Sequence, residues 1–239
     1  MIICVLNISG NVGKTTISVH MLRPRIANAS IISVENLNSG IEDFHIEEAE
    51  TIKGKRFNDL TDNILLAEAA IIDVGASNVE DFLNLMRQYS GSHEDFDYFV
   101  IPATSQEKQI KDTITTIQLI SEMGVPANKI RILFNSVELD DSIELDEFNA
   151  LFGYHHLSPT FTINKAALVL KNDVFDGLKQ ANTTLDIVAS DTTDYKAELR
   201  KKGATLEDKE NSLRMLALQR LAVGANSNLD TAFTALFSN

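Results

Sequence analysis

Residues Asn7–Thr16 read N-I-S-G-N-V-G-K-T-T and stand between the apolar run Ile2–Leu6 and a helix-like stretch, Lys14–Leu22. A glycine-bearing turn between a buried strand and a helix start leaves a chain few ways to fold. The strand must lie inside a sheet, and the helix must pack back on it. Gly10 and Gly13 lack a Cβ, so the backbone can curl closely around an anion. The first N–H groups of the helix have no partner within it, and the macrodipole adds positive potential at the same place. This makes Ser9, Gly10, Asn11, Val12, Gly13, Lys14, Thr15 and Thr16 a candidate phosphate cradle for a nucleoside triphosphate. Lys14 would reach the β- and γ-phosphates, and the Thr15 hydroxyl would ligate Mg²⁺.

The remainder alternates short apolar runs with helical patterns, which predicts an α/β fold: a doubly wound, mostly parallel sheet with helices on both faces. Strands are expected at Ile2–Leu6, Ser30–Val34, Ala70–Val74, Tyr98–Ile101 and Ile130–Phe134, with Thr160–Ile163 as a sixth candidate. Helices are expected at Lys14–Leu22, stopped by Pro24, and at about 57–68, 78–90, 105–123 and 143–152. Strands that are apolar throughout suit a sheet covered on both sides. Ligands in such folds sit at the C-terminal ends of the strands, where the other polar candidates fall. Asp73 ends the run A-A-I-I-D-V-G (Ala69–Gly75); it either orients a water on Mg²⁺ or caps the next helix. Asn135 follows Ile130–Phe134, where it is a base-contact candidate or a routine turn former.

The acidic balance narrows the partners. With 34 acidic against 21 basic residues the formal charge is −13, which disfavours sequence-independent binding to the DNA backbone. The compact basic clusters, Arg200-Lys201-Lys202 and Lys53/Lys55/Arg56, read as solvated faces. The acid-only stretches Glu35–Glu50 and Glu138–Glu147 read as exposed loops or helix faces that a basic partner protein could dock on. A single cysteine, Cys4, lies in the first strand pattern, reads as a small buried hydrophobe, and suits a reducing cytoplasm. His155-His156 has no metal-ligand spacing. The chain opens directly into a core strand, so no leader is expected, and no apolar run nears the ~20 residues of a membrane span.

The loop departs from G-x-x-x-x-G-K-[ST], because Ile8 occupies the first glycine position. It resembles instead the deviant Walker A loop, K-G-G-x-G-K-[ST]-[ST], of the ParA/MinD-type P-loop ATPases. Gly10, Val12, Gly13, Lys14, Thr15 and Thr16 match, and Asn11 replaces the second glycine. Ser9 stands where that family has the lysine that crosses an ATP-sandwich dimer, a charge that a short hydroxyl does not deliver. The resemblance implies a Walker B role for Asp73, which would hold Mg²⁺ together with Thr15. The segment Ser33–Gly40, S-V-E-N-L-N-S-G, resembles the family's D-x-D-x-x-G. Aligned on Gly40, Glu35 takes the first Asp position and Leu37 the second, whose Asp positions the attacking water. Either hydrolysis is very slow or Glu35, Asn36 or Asn38 substitutes, so the catalytic candidates are Lys14, Asp73 and Glu35. Asn135 matches the family residue that reads adenine, and Ser136 and Glu138 break the N-K-x-D of GTPases, which implies ATP over GTP. Ile163, in F-T-I-N-K (Phe161–Lys165), falls in a loop flanking the base, and Pro102 matches the family's strand-ending proline.

The resemblance runs through residues 1–185 in order of motifs. Its loop and length are similar to the StbB-type plasmid stability proteins and the TraL proteins of conjugative plasmids. What this implies is a cytoplasmic, weakly hydrolysing Mg²⁺–ATP switch in plasmid stability, partition or conjugal transfer. Such a switch would act through a DNA-binding adaptor protein and leaves a nucleotide-dependent homodimer open. The alternatives are a nucleotide-gated adaptor without significant hydrolysis and an ATP-dependent enzyme of the dethiobiotin-synthetase-like group. For the latter, no anion-binding residues opposite the γ-phosphate are evident. Residues 1–190 are expected to form the ATPase domain, and 191–239 a helical extension packed on the domain or on a partner. Leu229, Phe233, Leu236 and Phe237 make the tail amphipathic, and the absence of Lys and Arg from it argues against an anionic bilayer. The polar residues 190–212 read as a mobile connection to that tail.

Overall fold

The structure, a computed structural model, describes residues 1–34, 50–52, 57–138 and 147–238. Seven parallel strands lie in the order β3-β2-β4-β1-β5-β6-β7. They are β1 Ile2–Val5, β2 Ala29–Val34, β3 Glu50–Ile52, β4 Ala69–Val74, β5 Tyr98–Ala103, β6 Ile130–Val137 and β7 Leu168–Leu170. The α/β expectation holds, and β1 takes a central place between β4 and β5. Alternate residues of each strand serve opposite faces. Ile2, Cys4, Ile72, Phe99 and Ile132 join one core with α3 (Phe57–Leu66), α4 (Val79–Gln88), α5 (Glu107–Ser121) and α6 (Asn149–Leu157). Ile3, Val5, Ile71, Val100 and Leu133 join the other. Burial on both sides is why these strands read as continuous apolar runs.

The second face carries the segment after the loop. It begins as α1 (Lys14–Ile17), widens into a π-helical turn over Ser18–Leu22, and ends as α2 (Arg23–Arg25). Pro24 was expected to stop this helix and does not. The wide turn bonds Arg23 N–H to the Ser18 carbonyl five residues back, and Pro24 sits at the start of the next α-helical turn, where its missing donor is tolerated.

Three further expectations are corrected. The strand expected at Thr160–Ile163 reduces to one parallel bridge, Thr162 to Arg131. The chain then turns at Asn164, whose Oδ1 accepts the Ala166 N–H at 3.0 Å, and β7 pairs with β6 from Leu168 onward. Asn135 is not at a strand tip, because β6 continues to Val137 through an irregularity at Ser136, where φ is 58°. Residues 190–212 are no simple connection: they form α9 (Tyr195–Leu199) and the start of α10 (Leu206–Phe237). A capping box, Thr205 with Asp208, starts α10, satisfying donors that the helix itself cannot.

Helix α10 runs 32 residues and lays Leu218, Ala222, Ala225, Leu229, Ala232 and Leu236 on the second core. It meets there α7 (Val174–Ala181) and α8 (Leu185–Ser190). At its far end the buried Arg131 donates to the Ser238 carbonyl at 3.0 Å. The same guanidinium lies 5.3 Å from the Tyr98 ring centre, a cation at the negative end of a helix.

Candidate functional site

The loop leaves β1 at the C-terminal edge of the sheet, with Asp73 level with Val5 on the neighbouring β4. Asn7 anchors its first turn. Its Nδ2 donates to the Pro102 carbonyl at 2.9 Å and to Thr113 Oγ1 at 2.8 Å, while its Oδ1 accepts the Ser9 N–H at 2.8 Å. Gly10 is held from outside, its carbonyl accepting Gln109 Nε2 at 3.2 Å. The chain passes the exposed Asn11 at φ 57° and Gly13 at φ 85° before the helix starts. Gly13 is obligatory for a second reason: a Cβ there would overlap the Asn135 amide.

Lys14 is buried, and its ammonium donates to the carbonyls of Asn7 at 3.1 Å and Ser9 at 2.9 Å. The lysine therefore lies inside the curl of its own loop. Thr15 Oγ1 donates to Asp73 Oδ2 at 2.7 Å, so the capping alternative for Asp73 gives way to a bond with the loop. Among the described residues, Asp73 Oδ1 is buried with no hydrogen-bond partner. Burial pushes the Asp73 carboxyl up to about 6, against the opposing pull of the Thr15 bond and the Lys14 charge. A hydroxyl beside a carboxylate with one oxygen unsatisfied is a hard-oxygen donor set, and it fits Mg²⁺. Among the described residues, no group of three or more His, Cys, Asp or Glu is placed to hold a metal ion.

The other candidates are placed as follows. Val12 is buried, Thr16 half-buried, and Ser9 buried rather than projecting. Asn135 Nδ2 donates to the Val12 carbonyl at 2.9 Å, so the side chain props the loop. Ile163 packs half-buried on the first core. Its neighbour Thr162 pairs with Arg131, four residues before Asn135 on β6, about 13 Å back along a strand rising ~3.3 Å per residue. The structure does not bring Ile163 to the loop. Glu35, Asn36, Leu37, Asn38 and Gly40 lie outside the described residues, as do Lys53, Lys55 and Arg56 and most of both acid-only stretches. Cys4 is buried as expected, and burial, then Asp73, pushes its thiol well above the ordinary range. Asn7, Gln109 and Thr113 were missed by the sequence reading. The available signal was polar side chains at inward-facing positions of α5 and at the exit of β1.

No protein-family sequence profile and no curated protein sequence matches this chain. Solved structures do. McdA of Cyanothece without nucleotide is 14% identical, with a TM-score of 0.55 over 90% of this chain and 99% of that one. MinD in the MinC:MinD cell division complex of Aquifex aeolicus is 13% identical, with a TM-score of 0.53 over 93% and 95%. A ParA family ATPase from Chlorobium tepidum is 12% identical, with a TM-score of 0.53 over 80% and 92%. The chain has the fold of the ParA/MinD-type P-loop ATPases. Among the described residues, no helix is long and apolar enough to cross a membrane.

Proposed function

We propose that this chain is a cytoplasmic ATP-binding switch with weak Mg²⁺-dependent hydrolysis. The observation that carries the reading is the bond from Thr15 to Asp73 at the mouth of a loop already curled around Lys14. Ser9 to Thr16 would cradle the phosphates through backbone N–H groups and the Lys14 ammonium. Mg²⁺, when bound, would neutralise phosphate charge and hold a water. Thr15 and Asp73 are the residues that would hold it, and Asp73 would keep its proton off in that state. Lys14 would exchange two carbonyl partners for phosphate oxygens, a stronger charge-assisted pairing. Asn135 and Ile163 are the base-side residues of this reading, and Ile163 is the farther from the loop. Glu35 is the candidate for orienting the attacking water.

The finer part of the reading is a role in plasmid stability, partition or conjugal transfer through a DNA-binding adaptor protein. Support for it comes from the similarity of S-G-N-V-G-K-T-T to loops of such proteins, and from a charge of −13 that disfavours direct DNA contact. A two-part organisation, with residues 1–190 as the ATPase and 191–239 as an added helical unit, belongs to the same proposal. Ser9 and Leu37 favour a second reading, a nucleotide-gated adaptor without significant hydrolysis. Calorimetric titration with ATP and Mg²⁺, followed by phosphate-release measurements with and without DNA, separates the two. Tight binding with slow release supports the switch, binding without release supports the adaptor, and absence of binding refutes both.

A further inference from the structure

Strands β2 and β4 read A-S-I-I-S-V and A-A-I-I-D-V and pair in register, from Ala29 against Ala69 to Val34 against Val74. The register sets Ser33 against Asp73, the penultimate residue of each strand. Register partners on neighbouring strands share a face of the sheet and stand about 4.8 Å apart at the backbone. Here that face is the one covered by α1, because Ile31 and Ile71, two residues earlier, pack with Ile17 in the second core. Ser33 is 3% exposed and Asp73 2%.

At this level both strands replace an aliphatic side chain by an oxygen. Thr15 occupies Asp73 Oδ2. Among the described residues, Asp73 Oδ1 and Ser33 Oγ are each buried without a hydrogen-bond partner, so they do not bond each other. On its other flank Asp73 stands level with the apolar Val5 of β1. Two unpaired buried oxygens side by side destabilise the fold relative to an alanine or valine in place of the serine. Their capacities are complementary toward one small polar group. Asp73 Oδ1 accepts a hydrogen bond, and the Ser33 hydroxyl either gives or accepts one. A water matches both, and the carboxylate beside Thr15 is where a bound cation would carry one.

We infer that Ser33 is a positioning residue of the nucleotide site: its hydroxyl, together with Asp73 Oδ1, holds a water carried by the bound Mg²⁺. This role depends on the proposed function, because it needs a divalent cation at Thr15 and Asp73. Ser33 acts through the water, fixing its orientation, as hydrogen-bonding groups behind metal ligands do. Its signature in the chain is a lone serine breaking an aliphatic strand, as Asp73 breaks its own.

Calorimetric titration of the full chain with ATP, once in Mg²⁺ and once in EDTA, tests it. In the wild type Mg²⁺ is expected to tighten ATP binding. Ser33→Ala should cut that gain about tenfold, while the affinity in EDTA stays within about twofold of wild type. Removing an unpaired buried hydroxyl should leave the ligand-free melting temperature unchanged or raised. Ser33→Thr and Ser33→Val share a shape and differ in the hydroxyl, so Thr should keep the Mg²⁺ gain and Val lose it. Where Ser33→Ala melts lower, that pair carries the test. Equal losses in Mg²⁺ and in EDTA would make Ser33 a structural residue and overturn the inference. A Ser33→Ala protein with the wild-type gain overturns it, as does a Thr and Val pair that behave alike. Those outcomes leave nucleotide binding standing. A wild type that binds ATP equally well with and without Mg²⁺ overturns the role of Ser33 and the cation site together, and one that binds no ATP removes the proposed function as well.

Discussion

Asp73, on β4 beside the start of the helical segment, and His20, in its π-helical turn, are buried ionisable groups whose surroundings differ. His20 lies in the π-helical turn behind the sheet. Its Nδ1 accepts the Leu185 N–H at 3.3 Å, which places the proton on Nε2, and its ring lies 5.7 Å from that of Phe175. Burial lowers it to about 4, with Asp186 pulling the other way. Asp73 lies in front, beside Thr15, and burial raises it to about 6. Both sites therefore favour a neutral group. At the back, neutrality is compatible with the hydrogen bond the chain provides. At the front it leaves Oδ1 unsatisfied, and only a cation makes the ionised form comfortable. At the back the chain's own Leu185 N–H bonds the ring; at the front a bound cation would complete the site.

The largest test of this contrast is Lys14→Ala. It removes the ammonium from the front and should cut ATP affinity about a thousandfold, some 4 kcal/mol, by calorimetry. Lys14 also bonds two loop carbonyls, so thermal unfolding without nucleotide is needed alongside. An affinity unchanged in a folded variant would remove the loop from the functional site.

The next test acts at the back. His20 has a folded value below its ordinary 6.5, so as pH falls from 6.5 toward 4 the unfolded chain takes up a proton that the folded chain refuses. Stability should drop by about 3 kcal/mol across that window from this group. Asp73 works with the reverse slope: its folded value is raised from 3.8, so its contribution is lost as pH rises from about 4 to 6. In metal-free wild type the two trends oppose each other. His20→Gln keeps an acceptor for Leu185 and should leave a stability that rises on acidification, measured by urea unfolding at a series of pH values. A profile identical to wild type would show that His20 titrates normally.

Asp73→Asn breaks the balance from the other side. It keeps an oxygen for Thr15 and abolishes the cost of ionising a buried carboxyl. Metal-free stability at pH 7 should rise by about 3 kcal/mol, while Mg²⁺-dependent nucleotide binding falls. A stabilised but ligand-blind protein is the signature of a group kept for function against stability. If both quantities drop together, Asp73 is structural.

How much of this could be read from the chain depends on how local the chemistry is. Lys14, Thr15 and Gly13 stand out as candidates because phosphate binding would demand those types at adjacent positions. Asp73 was legible because a lone carboxylate interrupts an apolar strand. Asn7 was not, since its partner Thr113 is 106 residues away, and nothing in local spacing reports such a pairing. The continuation through Pro24 was hidden because a π turn has no sequence signature of its own. Helix α10 was underestimated for another reason. Its buried face is largely alanine while leucines lie exposed around the rest of it, so the apolar period that normally betrays an amphipathic helix is flattened.

The smallest expected effect separates two roles for one residue. Asn135 was read as a reader of adenine, yet its Nδ2 is given to the Val12 carbonyl, directly beneath Gly13. Asn135→Ala should cost about 1 kcal/mol of stability for that bond. Its value lies in the nucleotide comparison. A loop prop serves every triphosphate alike, so ATP and GTP affinities should weaken by the same factor. A base reader discriminates, so ATP should weaken while GTP does not, because the polar group that distinguished the bases is gone. The geometry predicts the first outcome, measured by competition of both nucleotides for one site. Selective loss of ATP would require the Asn135 amide to leave Val12 when nucleotide enters, and the site at the front would then reach as far as β6.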